Sequence, residues 1–580
     1  MKRILVIGLD AAEPVLIDLW KDDLPNLSKI MREGVFGKLR STDPPLSVPA
    51  WISLASGKNP GKIGAYSFLH RDRNSYNIKI VNSTLIRTQT LWDILSAKGK
   101  KVVVVGVPLT FPPERVNGVM VSGIPLPTKE GRPIADYTYP PEMAEEIEKL
   151  TGGYEVAARF ESRFTEGLGS RFSNRTKNFD LKEVSVPSSG EGSRRGEEDW
   201  KTVLERTERN QLEVTKHLLH SVDWQYFMVV FRETDHIGHL MWKYFDESHP
   251  DFKKNASLSD AIKYVYRMLD EAVGEILSVV DKETVVLVVS DHGSGPLYRT
   301  FFVNEFLFKL GLLRLKPSKN LMLRISRMLH LGPDQLWRAV TFLKLQPILG
   351  LVPKGIRSKV RSIDLFEANV ELIDWSKTKA YAFADFSIFL NVKDREPQGI
   401  VERGREYEQV RDLIIQKLGE LKDPATGLKI DARAYKNEEI YWGQFANEGP
   451  DILYYVDDLR YAGNARLGAG SLFRPTDGLW SGNHTLHGIF MARGPEIRKN
   501  AQVNLGIYDV APTILHIMGL PLPTDMDGKV ALDIFEPGCE CSSRPIVFEE
   551  ASAKVSEVVE WSAEDEKKVE EQLRHLGYLG

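Results

Sequence analysis

The sequence predicts an α/β fold, a doubly wound and mostly parallel sheet of the kind that carries an inserted α+β cap. Three observations lead there. First, Ile4–Leu9, Val102–Val107, Trp224–Phe231 and Thr284–Ser290 are continuous apolar runs of strand length, as expected of strands buried on both faces. Second, Thr90–Lys98 and Leu258–Val279 are helical patterns between those runs, and strand–helix alternation favours a parallel sheet. Third, three of the runs end in carboxylates or histidines: Asp10, Thr234-Asp235-His236 and Asp291-His292. Open α/β sheets gather ligands beyond the carboxyl ends of their strands.

The 580 residues allow several domains or one large core with insertions. A chain with 42% hydrophobic and 27% charged residues is a folded globular protein, not a disordered or collagen-like one. With 76 Lys+Arg against 80 Asp+Glu, a net charge of −4, it is not a uniformly basic nucleic-acid binder. Its two cysteines, Cys539 and Cys541, exclude a disulfide framework and a four-cysteine zinc site. No uncharged apolar segment approaches the length of about 18 residues that a spanning helix needs. The short run after Met1-Lys-Arg reads as a first strand, not a signal peptide. The expected location is the cytoplasm.

The expected organisation is a catalytic core from 1–300 and 480–545, a cap or substrate module at 301–479, and a tail with a final helix at 546–580. Residues 161–198, rich in Ser, Gly and charge, read as a flexible insertion. Within the cap, Tyr381–Val392 and Asp451–Val456 look strand-like and Glu406–Leu421 helical. Gly488–Ala492 is expected as a returning strand, Tyr508–Met518 as a helix, and Ala563–Leu576 as a charged amphipathic surface helix. From Glu305 to Ser362 there are twelve Lys/Arg against two acidic residues, including the amphipathic or apolar stretches Leu321–Leu331 and Leu336–Leu351. Two readings stay open there: a helical cap whose cationic face meets solvent or the acidic core, and attraction to a phosphate-bearing substrate or an anionic membrane surface.

The chemistry-bearing residues recur at predicted strand ends. Asp10 ends the first strand; Asp235 and His239 stand in Glu233-Thr-Asp-His-Ile-Gly-His239; Asp291 and His292 end the Thr284–Ser290 strand; His484 lies in Ser481-Gly-Asn-His-Thr-Leu-His487. Mixed imidazole and carboxylate ligands suit zinc or a similar transition ion, whereas calcium and magnesium favour oxygen alone. There are enough groups for two ions. Taken singly each residue is ordinary, since a strand-end Asp also caps helices. Ser47, in Ser47-Val-Pro49 before an apolar helical segment, stands where free backbone N–H groups favour an anion. It reads either as the helix cap or, beside a metal that lowers its hydroxyl pKa, as a nucleophile.

The order Asp10, Ser47-x-Pro49, Asp235-x-x-x-His239, Asp291-His292-Gly293 and His484 resembles the alkaline phosphatase superfamily. Within it, Val6-Ile-Gly-Leu-Asp10, Ser53-Leu-Ala-Ser-Gly57 with Pro60, Tyr508-Asp-Val-Ala-Pro-Thr-Ile-Leu515 and Asp527-Gly528 are similar to the type I phosphodiesterase/nucleotide pyrophosphatase branch and its prokaryotic phosphohydrolase/phosphomutase-like members. The resemblance implies two divalent ions, zinc with manganese as the alternative. Asp235, His239 and His484 would hold one; Asp10, Asp291, His292 and the Ser47 oxygen would hold the other, with the ions roughly 4 Å apart. His236 and His487 lie beside the pattern as candidate ligands or proton donors. Ser47 would attack phosphorus in line and form a phosphoseryl intermediate that water then hydrolyses.

Two departures bear on the substrate. Ala50 stands where nucleotide pyrophosphatases carry an amide three residues after the nucleophile, and no expected polar residue is evident among Ala65, Tyr66, Ser67 and Phe68. Trp51 replaces the arginine that sulfatases need two residues after the proline. The implied partner is a phosphate ester, with no specific nucleic-acid binding. Two alternatives remain: a phosphomutase of the cofactor-independent phosphoglycerate mutase type, whose cap would exclude water, and a non-catalytic binder of phosphate or lipid.

Overall fold

The computed structural model describes residues 2–156, 200–317 and 371–575, apart from 73–74, 130, 135, 257, 425, 468–469, 477–479 and 555–558. The 161–198 insertion lies outside these residues, as do the Leu321–Leu331 and Leu336–Leu351 segments of the basic 305–362 stretch.

The main sheet uses β1 (Ile4–Leu9), β2 (Val35–Arg40), β3 (Val102–Val105), β4 (Gly118–Val121), β5 (Thr138–Tyr139), β6 (Tyr226–Phe231) and β7 (Val285–Val289). A two-stranded ribbon follows, formed by β8 (Gly293–Pro296) and β9 (Gly482–Thr485), and β10 (His487–Arg493) returns to the main sheet. Three helices matter for the site: α1 (Pro14–Leu19), α2 (Ser47–Ser56) and α3 (Glu233–Phe245).

The ten-stranded main sheet is mixed. Its heart is the parallel set β7-β1-β6-β3-β4, in which every residue of β1, β6 and β7 is buried. That double-sided burial is why these strands read as unbroken apolar runs. The antiparallel members are β10, between β7 and β2, and β5 at the far edge. Short strands Ala501–Gln502 and Leu505–Gly506 pair with β2. The third strand stops at Val105, short of the expected Val107, because Gly106 turns the chain with φ +68.

A second, seven-stranded sheet is built from residues 299–475. Its strands run Ala380–Tyr381, Ser387–Leu390, Ile452–Val456, Tyr461–Asn464, Arg299–Phe302 and Phe473–Pro475, with Ala432–Lys436 beside Ile452–Val456. The single strand expected over Tyr381–Val392 is two, because Phe386, with φ +61, breaks the extended chain between them. The helix expected over Glu406–Leu421 spans Arg405–Leu418. A small apolar cluster of Phe386, Leu453, Tyr455 and Leu459 packs against Leu46 and Leu486. The Tyr455 hydroxyl donates to Asp43 Oδ1 at 2.7 Å and the Tyr441 hydroxyl to the Asp43 carbonyl at 2.7 Å. The second sheet thus grips the loop that leads into Ser47.

Toward the C-terminus, Ile507–Asp509 forms a 3₁₀ turn and Val510–Ile517 a buried helix. The last described helix, Ala563–His575, is amphipathic and buries Val569 and Leu573. No helix among the described residues is long and apolar enough to cross a membrane.

Candidate metal centre and nucleophile

The sheet order places the ends of β6, β1 and β7 side by side, and with them the first residues of the site. Asp10 follows β1, and Asp291 and His292 follow β7. Ala11 adopts a left-handed φ of +57, a strained turn for a residue with a Cβ, and its N–H donates to Asp291 Oδ1 at 3.3 Å. After β6 the chain enters α3, where the four-residue spacing puts Asp235 and His239 on one face. His484 arrives by another route, on the β8–β9 ribbon that begins directly after His292 and pairs Ser294 with His484.

All seven sequence-derived residues come together. Asp235, His239 and His484 form one cluster and Asp10, Asp291 and His292 a second; within each, one potential ligand atom per residue lies within 4.8 Å of the others. In the first, Asp235 Oδ1 is 3.3 Å from His239 Nε2 and 3.4 Å from His484 Nε2. In the second, His292 Nε2 is 3.1 Å from Asp291 Oδ2 and 3.8 Å from Asp10 Oδ1. The clusters adjoin, since the His292 and His484 rings stack with centroids 3.7 Å apart.

Ser47 is the first residue of α2, and Leu46 is the cap residue. The expected capping role therefore does not fall to Ser47. Its Oγ instead lies 3.2 Å from His292 Nε2, at the edge of the acid-rich cluster. One helical turn on, Trp51 donates its indole N–H to Asp10 Oδ2 at 3.0 Å. Gly8 makes room for that ring, because a Cβ there would sit 2.5 Å from it. Trp51 is thus a site residue that sequence reasoning used only to exclude sulfatases. Its signal was the four-residue spacing from Ser47.

The donor set fits divalent cations. Each of the three imidazoles turns Nδ1 to a backbone carbonyl: His239 to Gly482 at 3.0 Å, His484 to Pro45 at 2.7 Å, and His292 to Gly293 at 3.1 Å. A carbonyl only accepts, so Nδ1 carries the proton and, in the neutral ring, Nε2 presents a lone pair. The Nε2 atoms of His239 and His484 face each other at 3.1 Å. Two such lone pairs repel unless a proton or a cation lies between them. Asp10 Oδ1 and Asp291 Oδ2 are buried and receive no hydrogen bond from a described residue, as expected of oxygens shaped for a cation.

Electrostatics agrees. Burial, with Asp235 nearby, pushes Asp10 up to about 7. Burial, then Asp10 and Asp235, raises Asp291 well above the carboxylate range. At Asp235 burial is outweighed by His239 and His484, which hold it well below that range. Burial and then His484 keep His292 well below the imidazole range and hence neutral.

His236 and His487 join neither cluster. Burial and then Arg232 push His236 down to about 3, and neither of its nitrogens has a hydrogen-bond partner among the described residues. His487 is exposed on β10. Ala50 is fully buried, so its position offers a substrate no polar group.

A model of the family described as type I phosphodiesterase / nucleotide pyrophosphatase matches residues 4–439, and the chain belongs to that family. Six of the seven clustered residues lie within the matched span; His484 lies beyond it. Among solved structures, human ectonucleotide pyrophosphatase / phosphodiesterase 5 (ENPP5, NPP5) is similar at 12% identity and a TM-score of 0.48, covering 92% of this chain and 100% of that one. The murine ENPP5 structure gives the same values, as does that of an inactive murine variant in complex with AMP. No curated protein matches the chain.

Proposed function

We propose that this member of the type I phosphodiesterase/nucleotide pyrophosphatase family hydrolyses phosphodiesters or pyrophosphates through a phosphoseryl intermediate on Ser47. The observation that carries the reading is the position of Ser47 Oγ, 3.2 Å from His292 Nε2 where two potential metal-ligand clusters adjoin. Asp235, His239 and His484 would hold one divalent ion; Asp10, Asp291, His292 and Ser47 Oγ would hold the other. Zinc suits the donors, with manganese as the alternative. Bound ions would lower the hydroxyl pKa and offset the charge that develops on the phosphoryl and leaving oxygens.

The chain's own residues account for the rest. Helix α2 fixes Ser47 at its N-terminus, where unpaired backbone N–H groups favour a phosphoryl group. Ser47 Oγ loses its proton and forms a bond to phosphorus as the bond to the leaving oxygen breaks, and the leaving group departs with a proton as an alcohol or a phosphate. Water then cleaves the seryl ester and restores the hydroxyl. Trp51 steadies Asp10, and the carbonyls of Gly482, Pro45 and Gly293 fix the three rings, so little reorganisation is needed during reaction. In this reading 1–300 and 480–545 form the core. The second sheet acts as a cap that sizes the substrate above the 41–46 loop. The setting is the cytoplasm, and vesicle cosedimentation tests whether the basic 305–362 stretch adds peripheral membrane contact.

Turnover of bis(p-nitrophenyl) phosphate with Zn²⁺ or Mn²⁺ tests the reading. It should disappear in Ser47→Ala and on chelation, and quenched wild-type enzyme should carry a phosphoryl mass on the peptide containing Ser47. Turnover that survives both treatments would overturn it.

A further inference from the structure

Between Asp10, after β1, and Pro14, the first residue of α1, stand three residues that are fastened one after another to other parts of the site. The Ala11 N–H donates to Asp291 Oδ1 at 3.3 Å and the Ala12 N–H to Ser290 Oγ at 3.0 Å. Glu13 reaches further, to the β8–β9 ribbon. Its Oε2 accepts from the Thr485 hydroxyl at 2.9 Å, and a Cβ on Gly293 would sit 2.4 Å from that oxygen. Gly293 opens β8 directly after His292, and Thr485 closes β9 directly after His484. Glu13 thus lies against both strands of the ribbon, beside one residue of each cluster.

Glu13 is also the cap of α1, its Oε1 accepting from the Val15 N–H at 3.3 Å. Capping alone does not account for a glutamate, since Ser, Thr, Asp and Asn are the favoured caps and do that work with a shorter side chain. The extra methylene is what carries Oε2 to Thr485. Burial raises Glu13, and the Thr485 hydroxyl and the Val15 and Ser294 N–H groups act against that rise. A buried carboxylate is costly without such donors. Here they come from the helix on one side and the ribbon on the other, so the carboxylate joins the two. Asp10 and His292 follow central strands of the main sheet, whereas His484 depends on the ribbon.

We propose that Glu13 is a positioning residue for the metal centre, which acts through Thr485 to set His484 relative to the Asp10 segment. The inference rests on the two-ion reading above.

Zinc binding, read by competition with a chelating dye, tests it one cluster at a time. Asp291→Asn leaves the imidazole-rich cluster intact, and His239→Ala the acid-rich one. Glu13→Asp keeps the cap but is one methylene short of Thr485. It should weaken zinc binding about tenfold in the Asp291→Asn protein and less than about twofold in the His239→Ala protein. Thr485→Val should do the same, Thr485→Ser should bind as wild type, and Glu13→Asp with Thr485→Val should be no weaker than either alone. Both changes keep the cap of α1, so the melting temperature of the metal-free protein should stay near wild type. Undiminished zinc affinity of the imidazole-rich cluster in Glu13→Asp and Thr485→Val, or equal losses at both clusters, would overturn this proposal alone. Absence of zinc from the unsubstituted protein would overturn the two-ion reading with it.

Discussion

The two clusters that adjoin where His292 stacks on His484 are built from the same residue types in inverse proportion. One has a single carboxylate between two imidazoles, Asp235 with His239 and His484; the other has two carboxylates and one imidazole, Asp10 and Asp291 with His292. In the first, Asp235 raises His239 above its usual range even against burial, so the cluster is close to balanced by itself. In the second, the two acids repel each other in a buried space, and His292 stays neutral and offers no compensation. The acid-rich cluster therefore needs a cation more than its neighbour does, and Ser47, the proposed nucleophile, stands beside the needier of the two.

The largest effect should come from the residue that only one cluster touches. Ser47→Ala should lower turnover at least about 10³-fold, while metal content stays at the wild-type value. Loss of metal along with activity would mean that Ser47 acts as a structural ligand, not a nucleophile.

Next come the proposed ligands, which separate the clusters. His239→Ala and Asp291→Asn should each remove about one equivalent of bound zinc, measured by elemental analysis after gel filtration, and should cut turnover by about 10²-fold or more. His484→Ala should do more damage than His239→Ala, because its ring also stacks on His292 across the boundary. Equal effects would show that the clusters act independently.

A smaller change is expected at Trp51. Trp51→Phe keeps the ring and removes the 3.0 Å hydrogen bond to Asp10; metal affinity at the acid-rich site should fall by about tenfold, with the imidazole-rich site unaffected.

The mildest prediction concerns the metal-free protein. Asp10 and Asp291 titrate higher in the fold than in the unfolded chain, so the folded state holds more protons across that interval. Their contribution to stability therefore falls as pH rises from about 4 in the unfolded chain toward 7. The melting temperature of chelated protein should decline across this window, and Asp10→Asn or added zinc should flatten the decline. A slope that is the same in wild type and Asp10→Asn would contradict the assignment.

Much of this arrangement was legible in the sequence, for identifiable reasons. Strands buried on both faces leave long apolar runs, so β1, β6 and β7 and the acids at their ends were readable, and the motif order tied in Ser47 and His484. The β8–β9 ribbon was not readable, since each strand has only four residues and glycines interrupt both. The carbonyls that set the three rings belong to Gly482, Pro45 and Gly293, and a backbone group has no side-chain signature. Phe386 splits an apparent strand through a left-handed conformation that its residue type does not announce.

Anomalous diffraction from zinc-loaded crystals tests the central claim most directly. Two peaks about 4 Å apart are expected, one among Asp235, His239 and His484 and the other among Asp10, Asp291 and His292 within bonding reach of Ser47 Oγ. A single peak, or peaks away from these side chains, would contradict the account.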